Sequence, residues 1–155
     1  MNPSPATATV EVRPLAQSDH DDWLRLWRGY QEFYHVDIAP EVSRVTWLRL
    51  LDRSEPMHAA VAVVAGRIIG LVHFIYHRSC WTTGNYCYLQ DLFVTREARG
   101  HGAGRALIEY VYERARGAGC ARVHWLTHES NKSAMQLYDR IAERPGFVQY
   151  RHKLN

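Results

Sequence analysis

Leu92-Phe93-Val94, a four-residue link, and then Arg99-Gly100-His101-Gly102-Ala103-Gly104-Arg105 form the stretch on which the fold turns. Tyr86 to Val94 reads as a strand. From Gly102 to Arg116 the residues Ala103, Leu107, Ile108, Val111 and Ala115 share one helical face, and Gly117 with Gly119 ends the helix. A strand therefore leaves its sheet through a short loop and runs into a helix whose start is punctuated by glycines. Glycine lets the backbone approach a ligand closely, and the first helical turn offers unpaired N–H groups at the positive end of the macrodipole. That is an anion site suited to a pyrophosphate, and Arg99 and Arg105 flank it with charge-assisted donors. Two familiar phosphate loops do not fit. A Walker loop ends in Gly-Lys-Ser/Thr, where this chain has Gly104-Arg105-Ala106. A dinucleotide fingerprint needs a third glycine where Arg105 stands, on a strand of an all-parallel βαβ unit.

Working outward, Val10 to Leu15 predicts a first strand, and Ser18 or Asp19 an N-cap. Trp23, Leu26, Trp27, Tyr30, Phe33 and Tyr34 then recur at three-and-four spacing, which predicts an amphipathic helix with an aromatic stripe. Such a stripe serves either the core or a substrate pocket. Pro40 opens a second helix through Val42, Val45, Leu48 and Leu51, ending between Arg53 and Pro56. His58–Val64, the turn Ala65-Gly66-Arg67 and Ile68–His77 predict a β-hairpin with strands apolar on both faces. Downstream of the glycine loop the pattern gives a strand over Arg122–Thr127, a helix over Asn131–Ile141 and a last strand over Phe147–Leu154. Strands first, then strand–helix–strand–helix–strand, make an α/β (α+β) fold with a mixed sheet covered by helices on both faces.

A length of 155 residues fits one domain over 1–155, and 46% hydrophobic residues are enough to build a core. Residues 1–9, rich in Pro, Ser, Thr and Ala, read as a flexible tail and not a signal peptide. No stretch approaches the roughly 20 apolar residues of a membrane span. Cys80, Cys87 and Cys120 are odd in number and have no metal-like spacing, so neither a disulfide framework nor a metal site is expected, and the expected location is a reducing cytoplasm. A net charge of +3 points to an anionic partner. Its basic residues are scattered through Arg25, Arg44, Arg67, Arg96, Arg114 and Arg151 without a stripe, so nucleic acid is not expected.

The Arg99-Gly100-x-Gly102-x-Gly104 loop resembles that of the acetyl-CoA-dependent N-acetyltransferases of the GNAT superfamily. Asn131, Ala134 and Tyr138 reproduce a second motif of that superfamily, N-x-x-A-x-x-x-Y, followed by Gly146-Phe147. Tyr88 to Val94 and the aromatic helix look most like the branch holding polyamine and histone acetyltransferases. The resemblance implies a GNAT fold, with a mostly antiparallel sheet splayed at its centre. It also implies direct transfer of an acetyl group from acetyl-CoA to a primary amine in a ternary complex, and a homodimer. Leu92, Phe93 and Val94 would meet the pantetheine arm and help to polarise the thioester carbonyl. Arg99, Gly100, His101, Gly102, Ala103, Gly104 and Arg105 would hold the pyrophosphate, and Asn131 and Ser133 would touch the same cofactor, with Lys132 or Arg140 near the nucleotide.

Tyr138 lies two helical turns after Asn131 on the same face and is the candidate general acid for the departing thiolate. The base is open. Relatives in this branch carry a glutamate where Gln90 stands, and Gln90 does not titrate, although it could hold a relaying water. Asp91 titrates, but strand alternation points it away from Gln90. Glu32, His35 and His128 are further candidates, and an amine that arrives neutral needs no base. Tyr30, Glu32, Tyr34 and Trp81 are the candidate acceptor-site residues. A small amine, polyamine-like or amino-acid-like, is the expected acceptor. Acetylation of a protein lysine or N-terminus is the alternative, as is a CoA-binding regulatory module without transfer.

Overall fold

A computed structural model describes residues 8–155, so the expected tail over 1–9 lies outside it except for its last two residues. The chain forms two compact units that meet in sequence at Trp125 and Leu126. The first contains β1 (Glu11–Pro14), α1 (His20–Tyr34), α2 (Pro40–Leu51), β2 (Met57–Val64), β3 (Arg67–His77), β4 (Tyr86–Val94), α3 (Ala103–Gly117) and β5 (Arg122–His124). The second, Leu126–Asn155, contains α4 (Lys132–Ile141).

The five strands form one sheet in the order β1-β2-β3-β4-β5. The first four pair antiparallel and β5 runs parallel to β4, as a crossover through α3 requires. The architecture is therefore the expected α+β one, a mixed and mostly antiparallel sheet. The β2–β3 hairpin turns through Ala65 and Gly66, both at positive φ (49° and 77°), the geometry that matches the twist of the flanking strands.

Strand alternation divides the core. Ala59 and Val61 of β2 and Leu71 of β3 pack with Trp23, Leu26 and Trp27 of α1 and with Trp47 and Leu50 of α2. At the intervening position of β3, a Cβ on Gly70 would lie 3.1 Å from Leu107 Cδ1 of α3. The helix α3 rests against all five strands and buries Ala103, Leu107, Ile108, Val111 and Ala115, the face expected from spacing. Helices thus cover both faces of the sheet.

Asp19, at the N-cap position of α1, does not cap that helix. It takes a two-pronged ion pair from Arg13 (Nη1–Oδ2 2.7 Å, Nη2–Oδ1 2.9 Å) and the amide of Ala16 at 2.8 Å, tying β1 to the start of α1. Arg13, with help from the Ala16 amide, holds the Asp19 carboxyl below its ordinary value against the opposing effect of burial. A lowered folded value places the stabilisation above the ordinary carboxylate range and removes it as pH falls through the folded value. Asp19→Asn is expected to lower unfolding free energy at neutral pH by on the order of 2 kcal/mol, the value of hydrogen bonds to a charged group. Urea titration of the two proteins should show that gap closing as pH falls below 4; a constant gap would refute the ionic account.

The pairing of β4 with β5 is short. It covers Tyr86↔Arg122, Cys87↔Val123 and Tyr88↔His124 and stops, although β4 continues to Val94. Thr127, the expected end of β5, lies beyond the strand. Leu89 to Val94 therefore have backbone groups without a β5 partner; the gap lies between β4 and the edge strand β5, and not at the centre of the sheet as expected, because no strand is described beyond β5.

In the second unit Asn131 takes the N-cap position of α4, its backbone carbonyl accepting from Met135 N at 3.1 Å. The last strand expected over Phe147–Leu154 is not formed. Phe147 (79% exposed), Val148, Tyr150 and Leu154 all face solvent. A strand exists through its ladder, and this unit has no other described strand with which one could form.

Candidate active site

The first unit contains a cavity of about 410 Å³, walled by Trp27 and Tyr30 of α1, Leu50 of α2 and Met57 of β2. These apolar walls meet three polar side chains from the sheet, His73, Gln90 and Asp91. Gln90 and Asp91 border the same cavity, contrary to the alternation expected of neighbours in a strand. The pairing with β3 explains this: His73 faces Asp91 and Phe74 faces Leu89, so Gln90 is an extra residue with no partner. A β-bulge of this kind bends the strand and re-aims the side chains beside it.

Asp91 is 8% exposed, and its carboxylate has a polar partner on β3. His73 Nδ1 lies 3.0 Å from Asp91 Oδ2, and Tyr30 borders the same cavity beside it. Burial first, and then Asp91, push the Tyr30 phenol far above its ordinary value; the same two causes raise Tyr34, whose ring lies 4.7 Å from that of Tyr30. Both tyrosines are therefore proton donors in this site and not phenolates. On its other side His73 Nε2 lies 2.9 Å from the indole nitrogen of Trp23.

Other candidates fall elsewhere. Glu32 and His35 are exposed and not among the cavity walls, and Trp81 is 76% exposed in the β3–β4 connection. The ring nitrogen Nδ1 of His128 meets Ser130 Oγ at 2.6 Å at the surface. Within the second unit, Asn131 Nδ2 donates to Thr127 Oγ1 at 3.1 Å, Ser133 is exposed, and Tyr138 is half-buried on the face of α4 that includes Asn131 and Ala134. The sequence analysis does not single out His73 or the α2 wall, and it places Trp23 only within the aromatic stripe. An isolated histidine in the apolar run Leu71-Val72-His73-Phe74-Ile75 was the available signal, because a buried polar ring needs partners.

Beyond Val94, the last residue of β4, a four-residue link leads into the glycine loop at Arg99. Gly100 and Gly102 lie at φ 83° and 82°, a region that favours glycine, and a Cβ on either would meet nothing within 4 Å. The backbone is thus open on that side. No side chain caps the first turn of α3, so its amides have the unpaired donors that an anion needs. Arg99 Nε donates to Val94 O at 3.0 Å, and its guanidinium lies over the rings of Phe33 and Phe93, at 5.1 and 5.7 Å. Arg105 is spanned to Glu109 one turn along at 2.8 Å. An open amide cradle beside the unpaired edge of Leu89 to Val94 fits a pyrophosphate joined to an extended, amide-bearing arm, which is the form of coenzyme A. Gly29 of α1 makes room for this strand: a Cβ there would lie 2.8 Å from the tip of the Phe93 ring. Among the described residues, no cluster of three or more His, Cys, Asp or Glu could hold a metal ion, and no helix is long and apolar enough to cross a membrane.

Comparison with known proteins agrees with this geometry. The chain is 35% identical over 144 residues to the D-amino-acid N-acetyltransferase of Saccharomyces cerevisiae, covering 92% of this chain and 89% of that one. It is 41% identical over 140 residues to the thialysine N-epsilon-acetyltransferase of Bos taurus, covering 84% and 82%. The fold superposes on the ribosomal-protein-alanine N-acetyltransferase of Brucella melitensis with a TM-score of 0.80 at 20% identity, covering 94% of this chain and 100% of that one. Residues 20–142 match the acetyltransferase (GNAT) family, and with that span and those relatives the chain belongs to it, as an acetyl-CoA-dependent N-acetyltransferase.

Proposed function

We propose that the acceptor is a small molecule with a free primary amine, amino-acid-like or polyamine-like, which enters the cavity beside Asp91. The buried Asp91 carboxylate carries this reading. An ionised carboxylate has about four lone-pair positions, and His73 engages part of that capacity. The remainder is available to an ammonium group, while Trp27 and Tyr30 offer ring faces to the same charge. The named relatives act on D-amino acids and thialysine, both of which present such an amine.

Acetyl-CoA supplies an activated acetyl group as its thioester. The chain's own residues do the rest: the first turn of α3 and Arg99 hold the pyrophosphate, and the free edge of β4 at Leu92, Phe93 and Val94 aligns the arm. Asp91 anchors the ammonium and takes its proton, with Gln90 beside it at the bulge. Tyr138 gives a proton to the leaving thiolate. Tyr138→Phe is expected to lower turnover by about 100-fold, within the range of general acid catalysis, with acetyl-CoA affinity unchanged. Unchanged turnover in a stopped-flow thiol-release assay would remove that role.

The whole of 1–155 acts as one catalytic domain in this reading, in a reducing cytoplasm consistent with three free thiols. A homodimer is supported by the exposed Phe147–Leu154 segment, with Tyr150 at 94% and Leu154 at 89%, since a second copy would cover apolar surface of this kind. The test of function is a panel of free amino acids, diamines and peptides, assayed with acetyl-CoA and resolved by mass spectrometry, with the same sample sized by sedimentation. Free amines acetylated by a dimer are expected. Acetylated peptides only, or no product, would reject the small-amine reading, and a monomer would reject the assembly.

A further inference from the structure

The polar chain behind Asp91 is longer than amine binding alone requires. From α1 to β4 it runs Trp23, His73, Asp91, and the first two of these are 1% and 3% exposed. The His73 ring lies among aromatic neighbours, with centroids 6.1 Å from Trp23 and 5.1 Å from Trp27. Burying a polar group in such a place is unfavourable unless it is bonded, and replacing a buried polar pair with apolar residues is often neutral or stabilising. Stability therefore gives no reason for a histidine at this position; the cavity beside it does.

The indole nitrogen of Trp23 can only donate. With His73 Nε2 at 2.9 Å, that ring nitrogen must be the acceptor, so the proton of the neutral ring is on Nδ1. The Nδ1–H then points at Asp91 Oδ2, 3.0 Å away. Without the indole, the imidazole could place its proton on Nε2 and turn a lone pair toward the carboxylate, which would repel it.

We propose that His73 is a positioning residue whose tautomer is set by Trp23, and that its Nδ1–H holds the Asp91 carboxylate in the orientation that meets the acceptor. This rests on the reading of Asp91 as the acceptor's anchor. Trp23 of α1 reaches the carboxylate through the His73 ring of β3, so its orientation depends on both elements. The bulge at Gln90 brings Asp91 opposite His73 in the first place. Residues of α1, β3 and β4 are thus joined in one polar chain that ends at the cavity wall.

The test has a spectroscopic arm and a kinetic arm. Imidazole ¹⁵N spectra of histidine-labelled wild-type protein at neutral pH should show His73 as the Nδ1–H tautomer, assigned by its loss in His73→Asn. An Nε2–H tautomer or a doubly protonated ring would overturn the proposal. In the kinetic arm, His73→Leu removes the donor, whereas the side-chain amide of His73→Asn can still offer an N–H to Asp91. The leucine variant is expected to lose about 10–100-fold in kcat/KM for the amine, the value of one hydrogen bond to a charged group, with acetyl-CoA affinity unchanged. The asparagine variant is expected to recover most of that loss. Equal losses in both variants, or none in either, would overturn the positioning role. A full-activity Asp91→Asn protein would instead remove the anchor itself, so the two failures are distinguishable.

Discussion

Asp91→Asn is expected to reduce kcat/KM for the acceptor by about 100-fold or more while leaving acetyl-CoA affinity within a factor of two. The change is nearly isosteric and Asn keeps a carbonyl oxygen that can accept from His73 Nδ1–H, so the cavity's shape is retained. Only the charge and the proton-accepting capacity disappear. Loss of a charge-assisted contact contributes about 1.5–3 kcal/mol, and loss of a positioned base about 10²- to 10⁴-fold in rate. Steady-state kinetics with the best amine of the panel, beside calorimetric titration of acetyl-CoA, separates the two sites. Activity within threefold of wild type would mean that the amine is bound and deprotonated elsewhere.

Gly102→Val is expected to weaken acetyl-CoA binding by about 100-fold. The position has φ 82°, where any residue with a Cβ pays about 1–2 kcal/mol and a β-branched one more. The chain relieves that strain by rotating the loop out of its present conformation. Rotation withdraws the first-turn amides of α3, and two lost N–H bonds to a charged group amount to about 3 kcal/mol or more, which is the stated factor. Since a Cβ at Gly102 meets nothing within 4 Å, the effect comes from backbone conformation and not from a clash inside the fold. Retained affinity in a folded Gly102→Val protein would show that the cradle does not hold the pyrophosphate.

Much of the fold is legible in the sequence. Periodicity located α1, α2 and α3, and β4 spans Tyr86–Val94 as read from sequence. The glycine loop stands out in the sequence because the positive φ found at Gly100 and Gly102 selects glycine strongly. The acceptor side was less legible for two physical reasons. The bulge at Gln90 is a property of pairing between two strands, so alternation along one strand could not show Asp91 and Gln90 on the same cavity. His73 acquires meaning only from its register opposite Asp91 and from an indole 50 residues earlier in the chain. The last strand failed for a related reason. Phe147–Leu154 has suitable composition, but composition does not supply a neighbour.

The closeness of Gly29 to Phe93 has a thermodynamic consequence. Trp27 and Tyr30 of α1 border the cavity proposed for the acceptor, and Gly29, next to Tyr30 in the chain, lets the Phe93 ring approach the helix at the strand edge proposed for the donor. A Cβ on Gly29 would lie 2.8 Å from that ring, so helix and ring already meet closely. In the proposed arrangement, any effect of one occupied site on the other is a coupling free energy, and linkage makes that energy the same in both directions. The factor by which bound donor alters amine affinity must equal the factor by which bound amine alters donor affinity. A missing side chain on α1 would thus join the binding of the two proposed substrates in one equilibrium.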